Sequence, residues 1–163
     1  MQIGILSDSH GRADTTRVAI RLLLERGASS LIHLGDIGSD AVIDELVGHH
    51  ARIVFGNCDW DAASLGRYAQ DLGLIVDDPM GRLQIAGKTI AFTHGHHLGL
   101  MQQALAEGVE YLLHGHTHEV RDERVGSTRI INPGALFRAA RYTAALLDSE
   151  ADALHIVEVP RPA

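Results

Sequence analysis

Along the first third of the chain, short apolar runs alternate with amphipathic stretches, and each apolar run breaks off into a polar, glycine-containing loop. Residues 2–7 form the first run and stop at Ser7-Asp8-Ser9-His10-Gly11, the pattern of a buried strand ending in a loop. After it, Val18, Leu22 and Leu23 share one helical face, with Asp14 placed to cap the start and Gly27 to stop the last turn. Residues 30–34 repeat the strand and end in Gly35-Asp36. A helix over 40–47 stops at Gly48, and residues 51–55 give a third strand running into Gly56-Asn57-Cys58-Asp59. Strands joined by single helices predict parallel pairing through right-handed crossovers, with a ligand crevice beyond their carboxyl ends.

The pattern then changes. Residues 60–79 leave room for one helix, and 82–86 and 89–92 pair as a hairpin about Gly87-Lys88. A helix over 99–107 leads to a strand at 110–113. Residues 120–125, 129–131, 142–147 and 154–159 read as antiparallel strand. The expected class is α/β, with two packed mixed β-sheets flanked by helices, in one domain over residues 1–163.

Composition narrows the function. Apolar residues at 45% and charged residues at 21% describe a soluble globular protein. No apolar run reaches the roughly 18 residues of a transmembrane helix, so no membrane partner is expected. The single cysteine, Cys58, excludes an internal disulfide, and the N-terminus opens on a strand rather than a signal peptide. The expected location is cytoplasmic. A net charge of −7 repels polyanions, which argues against long nucleic acid as a partner. A phosphate group would have to be attracted locally.

Eleven histidines are the anomaly, and several cluster after predicted strands. Seven candidate ligands fall in five segments: Asp8 and His10, Asp36, Asn57, His94, and His116 with His118. Residues two apart in an extended segment point the same way, so each close pair would approach a site from one side. Carboxylate and imidazole suit borderline divalent ions such as manganese, iron or zinc, and the lack of paired thiolates argues against a structural zinc knuckle. His33, His49, His50, His97, His114 and His155 are read as structural. Trp60 is read as rim packing rather than a base-stacking platform, and Arg12 as a solvated loop residue.

The segments Asp8-Ser9-His10, Gly35-Asp36, Gly56-Asn57-Cys58-Asp59, His94-Gly95-His96 and Gly115-His116-Thr117-His118 stand in one order over residues 3–135. In this they resemble the signature of the calcineurin-like metallophosphoesterases. The short chain and its trailing Asn132-Pro133-Gly134 look most like the small bacterial and archaeal phosphodiesterases of that family that lack a cap domain. The resemblance implies two divalent ions, manganese foremost, with nickel, cobalt, iron or zinc as alternatives. One would be held by Asp8, His10, Asp36 and His118, the other by Asp36, Asn57, His94 and His116, with Asp36 bridging. It further implies hydrolysis of phosphate esters, diesters first, by in-line attack of a hydroxide formed between the ions.

The chain departs from the family at Cys58, where many members carry a histidine assigned to leaving-group protonation or phosphate orientation. The Cys58 thiol is a candidate proton donor in its place. His96 becomes a candidate phosphate contact and Asp59 a candidate for orienting the loop. Ala135 stands where the family often has serine. The expected partner is a small phosphate ester, with a homo-oligomer formed through the apolar stretch near Leu98 to Leu105 as a further expectation. The competing reading is a catalytically degenerate scaffold of this fold that binds protein, as in the related subunit of the retromer coat. The complete set of ligand positions argues against it.

Overall fold

The structure, a computed structural model, describes residues 1–162. Its first half alternates strand and helix: β1 (Gln2–Leu6), α1 (Ala13–Glu25), β2 (Ser30–His33), α2 (Asp40–Leu46), β3 (Ala51–Ile53), α3 (Ala62–Asp71) and β4 (Ile75–Val76). Then come β5 (Met80–Ile85), β6 (Lys88–Thr93), α4 (Leu98–Glu107), β7 (Tyr111–Leu113), β8 (Val120–Val125), β9 (Thr128–Pro133), β10 (Tyr142–Asp148) and β11 (Ala153–Val159). One sheet has six strands in the order β11-β10-β1-β2-β3-β4, the other five in the order β5-β6-β7-β9-β8. Both are mixed, so the architecture is the expected pair of packed sheets with helices outside.

Strand alternation divides the core. Ile3 and Ile5 of β1 point between the sheets, where they meet Ile32, Ile90, Phe92, Leu113, Ile131 and Leu147. Full burial of each such side chain contributes about 1.5–3 kcal/mol relative to exposure. On the opposite face of the six-stranded sheet, Ala19, Ile20 and Leu23 of α1 join Val42, Ile43 and Leu46 of α2 and Ala69 of α3. A third cluster seats α4 on the five-stranded sheet through Ala104, against Ala91, Leu112 and Ile130. The layers therefore run helix, sheet, sheet, helix.

Several local expectations are corrected. Arg12, not Asp14, occupies the N-cap of α1, and Asp14 sits in the first turn, where its Oδ1 accepts the Thr15 N–H at 2.8 Å. A carboxylate there still favours the helix dipole. The hairpin turns on Ala86-Gly87, both at positive φ, with Ile85 paired to Lys88. Residues 129–131 of β9 pair parallel to β7 and antiparallel only to β8, because the chain runs out along the edge strand β8 and returns between it and β7. The segment 60–79 holds α3 and also a two-stranded parallel extension, β4 on β3. Near Leu98 to Leu105, Leu98 is exposed while Met101 and Leu105 pack on the α4 cluster.

What matters for the site is direction. β1, β2 and β3 are mutually parallel, as are β6, β7 and β9, so the carboxyl ends of β1, β2, β3, β6 and β7 discharge their loops together. Backbone bonds stitch those loops: Asp8 N–H to Gly35 O at 3.0 Å, His10 N–H to Asp36 O at 2.8 Å, and Gly115 N–H to His94 O at 2.9 Å.

Candidate active site

Asp8 and Asp36 lie one strand apart at the ends of β1 and β2, and both are buried. An isolated buried carboxylate is costly, so such groups are paired or bind metal. Among the described residues, the only cationic side chains in ion-pair range of either are histidines: His10 and His118 at Asp8, His10 and His94 at Asp36. One oxygen, Asp36 Oδ2, stands 3.6 Å from His10 Nε2 and 3.5 Å from His94 Nε2. It faces two imidazoles from two sides.

On the first side, Asp8, His10, Asp36 and His118 each offer one atom, and these atoms lie within 4.8 Å of one another. Ligands at about 2.0–2.2 Å from a shared ion would stand at most about 4.4 Å apart, so only a small contraction is needed. One contact supports a lone pair turned to the centre. His118 Nδ1 lies 3.2 Å from Arg138 O, a carbonyl that accepts a hydrogen bond from that nitrogen and leaves Nε2, 3.3 Å from His10 Nε2, free for a ligand. Asp8 Oδ1, though buried, accepts no well-formed hydrogen bond.

On the second side, His94 Nδ1 is 2.7 Å from Leu34 O, which fixes the same tautomer, and its Nε2 then faces Asn57 Oδ1 at 3.1 Å. The His116 ring stands edge-on to His94, with centroids 5.2 Å apart. Periodicity had placed His116 and His118 together. The structure divides them, His118 beside His10 and His116 beside His94.

The local backbone is bent to achieve this. Asp8, His10, Asp36, His116 and His118 all adopt left-handed φ between 44° and 70° rather than the extended conformation expected of them. Such residues cost on the order of 1–2 kcal/mol each, and asparagine, aspartate and histidine tolerate the region best. Strain of this kind collects at functional sites.

Supporting groups explain how the loops hold their shape. Ser7 Oγ donates to Asp8 Oδ2 at 2.5 Å, and the His116 N–H reaches the same oxygen at 3.2 Å. Gly115 is required here, since a Cβ on it would lie 1.9 Å from Ser7 Oγ. Buried Asn132 donates from Nδ2 to Gly115 O and Thr117 Oγ1, both at 3.0 Å, and accepts the Gly134 N–H at 2.9 Å. His33, read as structural, is fully buried; its Nδ1 accepts the Gly35 N–H at 3.2 Å and its Nε2 lies 2.7 Å from Ser9 Oγ. Ser7 went unnoticed in the sequence although it directly precedes Asp8, and Asn132 was noted without a role.

Charge follows geometry. Burial works against the charged forms of Asp8 and Asp36, but the neighbouring histidines and, at Asp36, the Cys58 N–H at 2.8 Å outweigh it and hold both below the usual carboxylate range. Burial also opposes the His94 imidazolium, yet contact with Asp36 and the fields of Asp8 and Asp36 raise its pKa. His118 is raised chiefly by Asp8. At His10, burial prevails and lowers the pKa. The pocket attracts cations.

The remaining candidates line the Asn57 side. Asp59 is buried and accepts the N–H groups of Gly38 and Gly56, each at 2.8 Å, so it ties the β2 and β3 loops together. Burial nonetheless keeps its pKa above the ordinary value. Cys58 is half-buried, and burial with the nearby Asp36 raises its thiol pKa, favouring the protonated form. His96 lies with its ring centroid 5.3 Å from that of His94 and 3.9 Å from that of His97. Burial and those neighbours lower its pKa, and its Nδ1 has no partner. Arg12 stacks over Phe137, 4.4 Å from the ring centroid. No helix among the described residues is long and apolar enough to cross a membrane.

Residues 1–152 match the profile of the calcineurin-like phosphoesterase superfamily domain. The chain belongs to that superfamily. Membership places it among the hydrolases of phosphate esters, in agreement with a site built to gather cations. It is 32% identical over 157 residues to the phosphodiesterase MJ0936 of Methanocaldococcus jannaschii, covering 92% of this chain and 94% of that protein. The structure of an archaeal phosphodiesterase superposes with a TM-score of 0.88 at 29% identity, covering 97% of this chain and 99% of the other. Vps29 of Entamoeba histolytica, solved with zinc, superposes with a TM-score of 0.66 at 18% identity over 97% of this chain and 91% of that one. At that identity the likeness is one of fold.

Proposed function

We propose that this calcineurin-like phosphoesterase is a two-metal phosphodiesterase acting on small phosphate esters, with residues 1–163 as one catalytic domain in the cytoplasm. The observation that carries the reading is Asp36 Oδ2, turned at once toward His10 and His94. An oxygen shared between the Asp8, His10 and His118 cluster and the His94 side suits a bridge between two cations. Asp8, His10, Asp36 and His118 would hold the first ion, and Asp36, Asn57, His94 and His116 the second. Manganese is the favoured ion, with nickel, cobalt, iron and zinc as alternatives. Bound there, the ions supply an activated water as nucleophile and positive charge for the phosphoryl oxygens.

The chain's own residues do the rest. Asp59 fixes the Asn57 loop, and Ser7 and Asn132 fix the histidine loops, so reacting groups meet without reorganisation. The protonated Cys58 thiol, next to the candidate ligand Asn57, would give a proton to the departing oxygen. His96, half-buried beside His94, would contact a phosphoryl oxygen.

Metal-stripped protein assayed on chromogenic diester and monoester substrates, with manganese added back, tests this reading. Metal-dependent turnover with diester preference is expected. No turnover with any ion would favour a protein-binding scaffold.

A further inference from the structure

A pocket of about 430 Å³ opens beside the Asn57 loop, lined by Asp40, Cys58, Trp60, Asp61 and Ser64 among others. Trp60 does not pack there as the sequence reading expected. It is 91% exposed, while the next most exposed aromatic, Tyr68, is at 37%. An aromatic ring that buries 150–250 Å² elsewhere gains nothing for the fold in this position. Its place does suit the site. Trp60 follows the candidate ligand Asn57 by three residues, so at most about 11 Å of chain separates them.

The chemistry of the pocket narrows the ligand. No lysine or arginine lines it, while Asp40 and Asp61 line it with carboxylates, Asp61 also accepting the Ser64 N–H through Oδ1 at 3.3 Å. A flat, uncharged group bearing N–H donors fits, and a further phosphate does not. An anionic extension finds better partners on the opposite flank, where a groove of about 690 Å³ runs from His118 past Arg138 and Arg141, with Glu119 and Glu158 also present.

We infer that Trp60 is the stacking platform for the nucleobase of a nucleotide ester whose phosphate lies at the Asp36 centre, with the base's exocyclic amino group facing Asp40 and Asp61. This rests on the phosphoesterase reading above and narrows its substrate class. Adenine, cytosine and guanine are favoured over uracil, which has no exocyclic amino donor. Stacking tolerates base identity because every base presents a π-face.

Trp60 is the chain's single tryptophan, so its emission reports on this pocket alone. The manganese-loaded full chain is titrated with adenosine 5′-monophosphate and, separately, with ribose 5-phosphate. Saturable quenching by the nucleotide and none by the sugar phosphate is expected. An equal response to both, or a nucleotide response that never saturates, overturns the inference. In parallel, kcat/KM is compared for the 4-nitrophenyl ester of adenosine 5′-monophosphate and for methyl 4-nitrophenyl phosphate. Trp60→Ala should lower their ratio about ten-fold, chiefly through KM, and Trp60→Phe should recover most of it. An unchanged ratio overturns the inference. If neither ester is hydrolysed, the phosphodiesterase reading fails, and the fluorescence titration still decides the role of Trp60.

Discussion

His118 Nε2 stands 3.1 Å from Asp8 Oδ1, yet that buried oxygen makes no well-formed hydrogen bond. The imidazole directs its other nitrogen to Arg138 O, which leaves Nε2 turned toward the carboxylate. A divalent ion is expected to take the place of a proton between them.

Asp36→Asn removes the charge of the oxygen that faces His10 and His94 while leaving an acceptor for the Cys58 N–H. Loss of a partner outside the ligand set typically costs 10–100-fold, so loss of a shared ligand should exceed about a hundred-fold in kcat/KM. Circular dichroism should show an intact fold. Activity at the wild-type level would remove Asp36 from the bridging role.

Gly56→Ala places a Cβ 2.0 Å from Asp36 Oδ1, so the carboxylate must move. Metal affinity measured by calorimetry should fall at least about ten-fold. Unchanged affinity would mean that the Asp36 position is not critical for the ions.

Asp59 supplies acceptors to two backbone N–H groups. Asp59→Asn turns one acceptor into a donor facing a donor, a loss of about 1–3 kcal/mol of stability, read as a lower urea midpoint. Activity should fall with it, because the Asn57 loop loosens. A variant as stable as wild type would show that the bond lost contributes nothing.

His33 gives a pH signature. Burial lowers its pKa to about 4 in the folded chain, against 6.5 when unfolded. Above pH 6.5 it is neutral in both states and contributes no slope. Between 6.5 and about 4 the unfolded chain binds the proton and the folded chain does not, so stability falls as pH falls. Below that window the penalty is constant, on the order of 3 kcal/mol. Chemical denaturation across pH should show this segment in wild type and lose it in His33→Gln, whose amide can still bond Ser9 and Gly35. An identical profile in the variant would assign the slope to other groups.

The candidate ligands were legible because five segments in one order each follow a strand, whereas any one of them could be an ordinary loop residue. Parallel β1, β2 and β3 followed from the helices between them. The direction of β9 was not legible, since local sequence sets the strand and only the path through β8 sets its sense. Spacing alone hid the separation of His116 from His118, which the family resemblance implied, because spacing assumes extended backbone and both residues are left-handed. Ser7 and His33 act through partners distant in sequence or on the backbone, which no periodicity marks. The exposure of Trp60 likewise depends on what fails to pack against it.

If Asp36 joins two cations in one site, each chain holds two, and the ions can be counted. Metal-stripped protein is equilibrated with manganese and its bound content measured alongside calorimetric titration. Two ions per chain are predicted for the wild type, with weakened binding at both positions in Asp36→Asn. A single ion per chain, or Asp36→Asn binding two ions as tightly as wild type, would contradict the account.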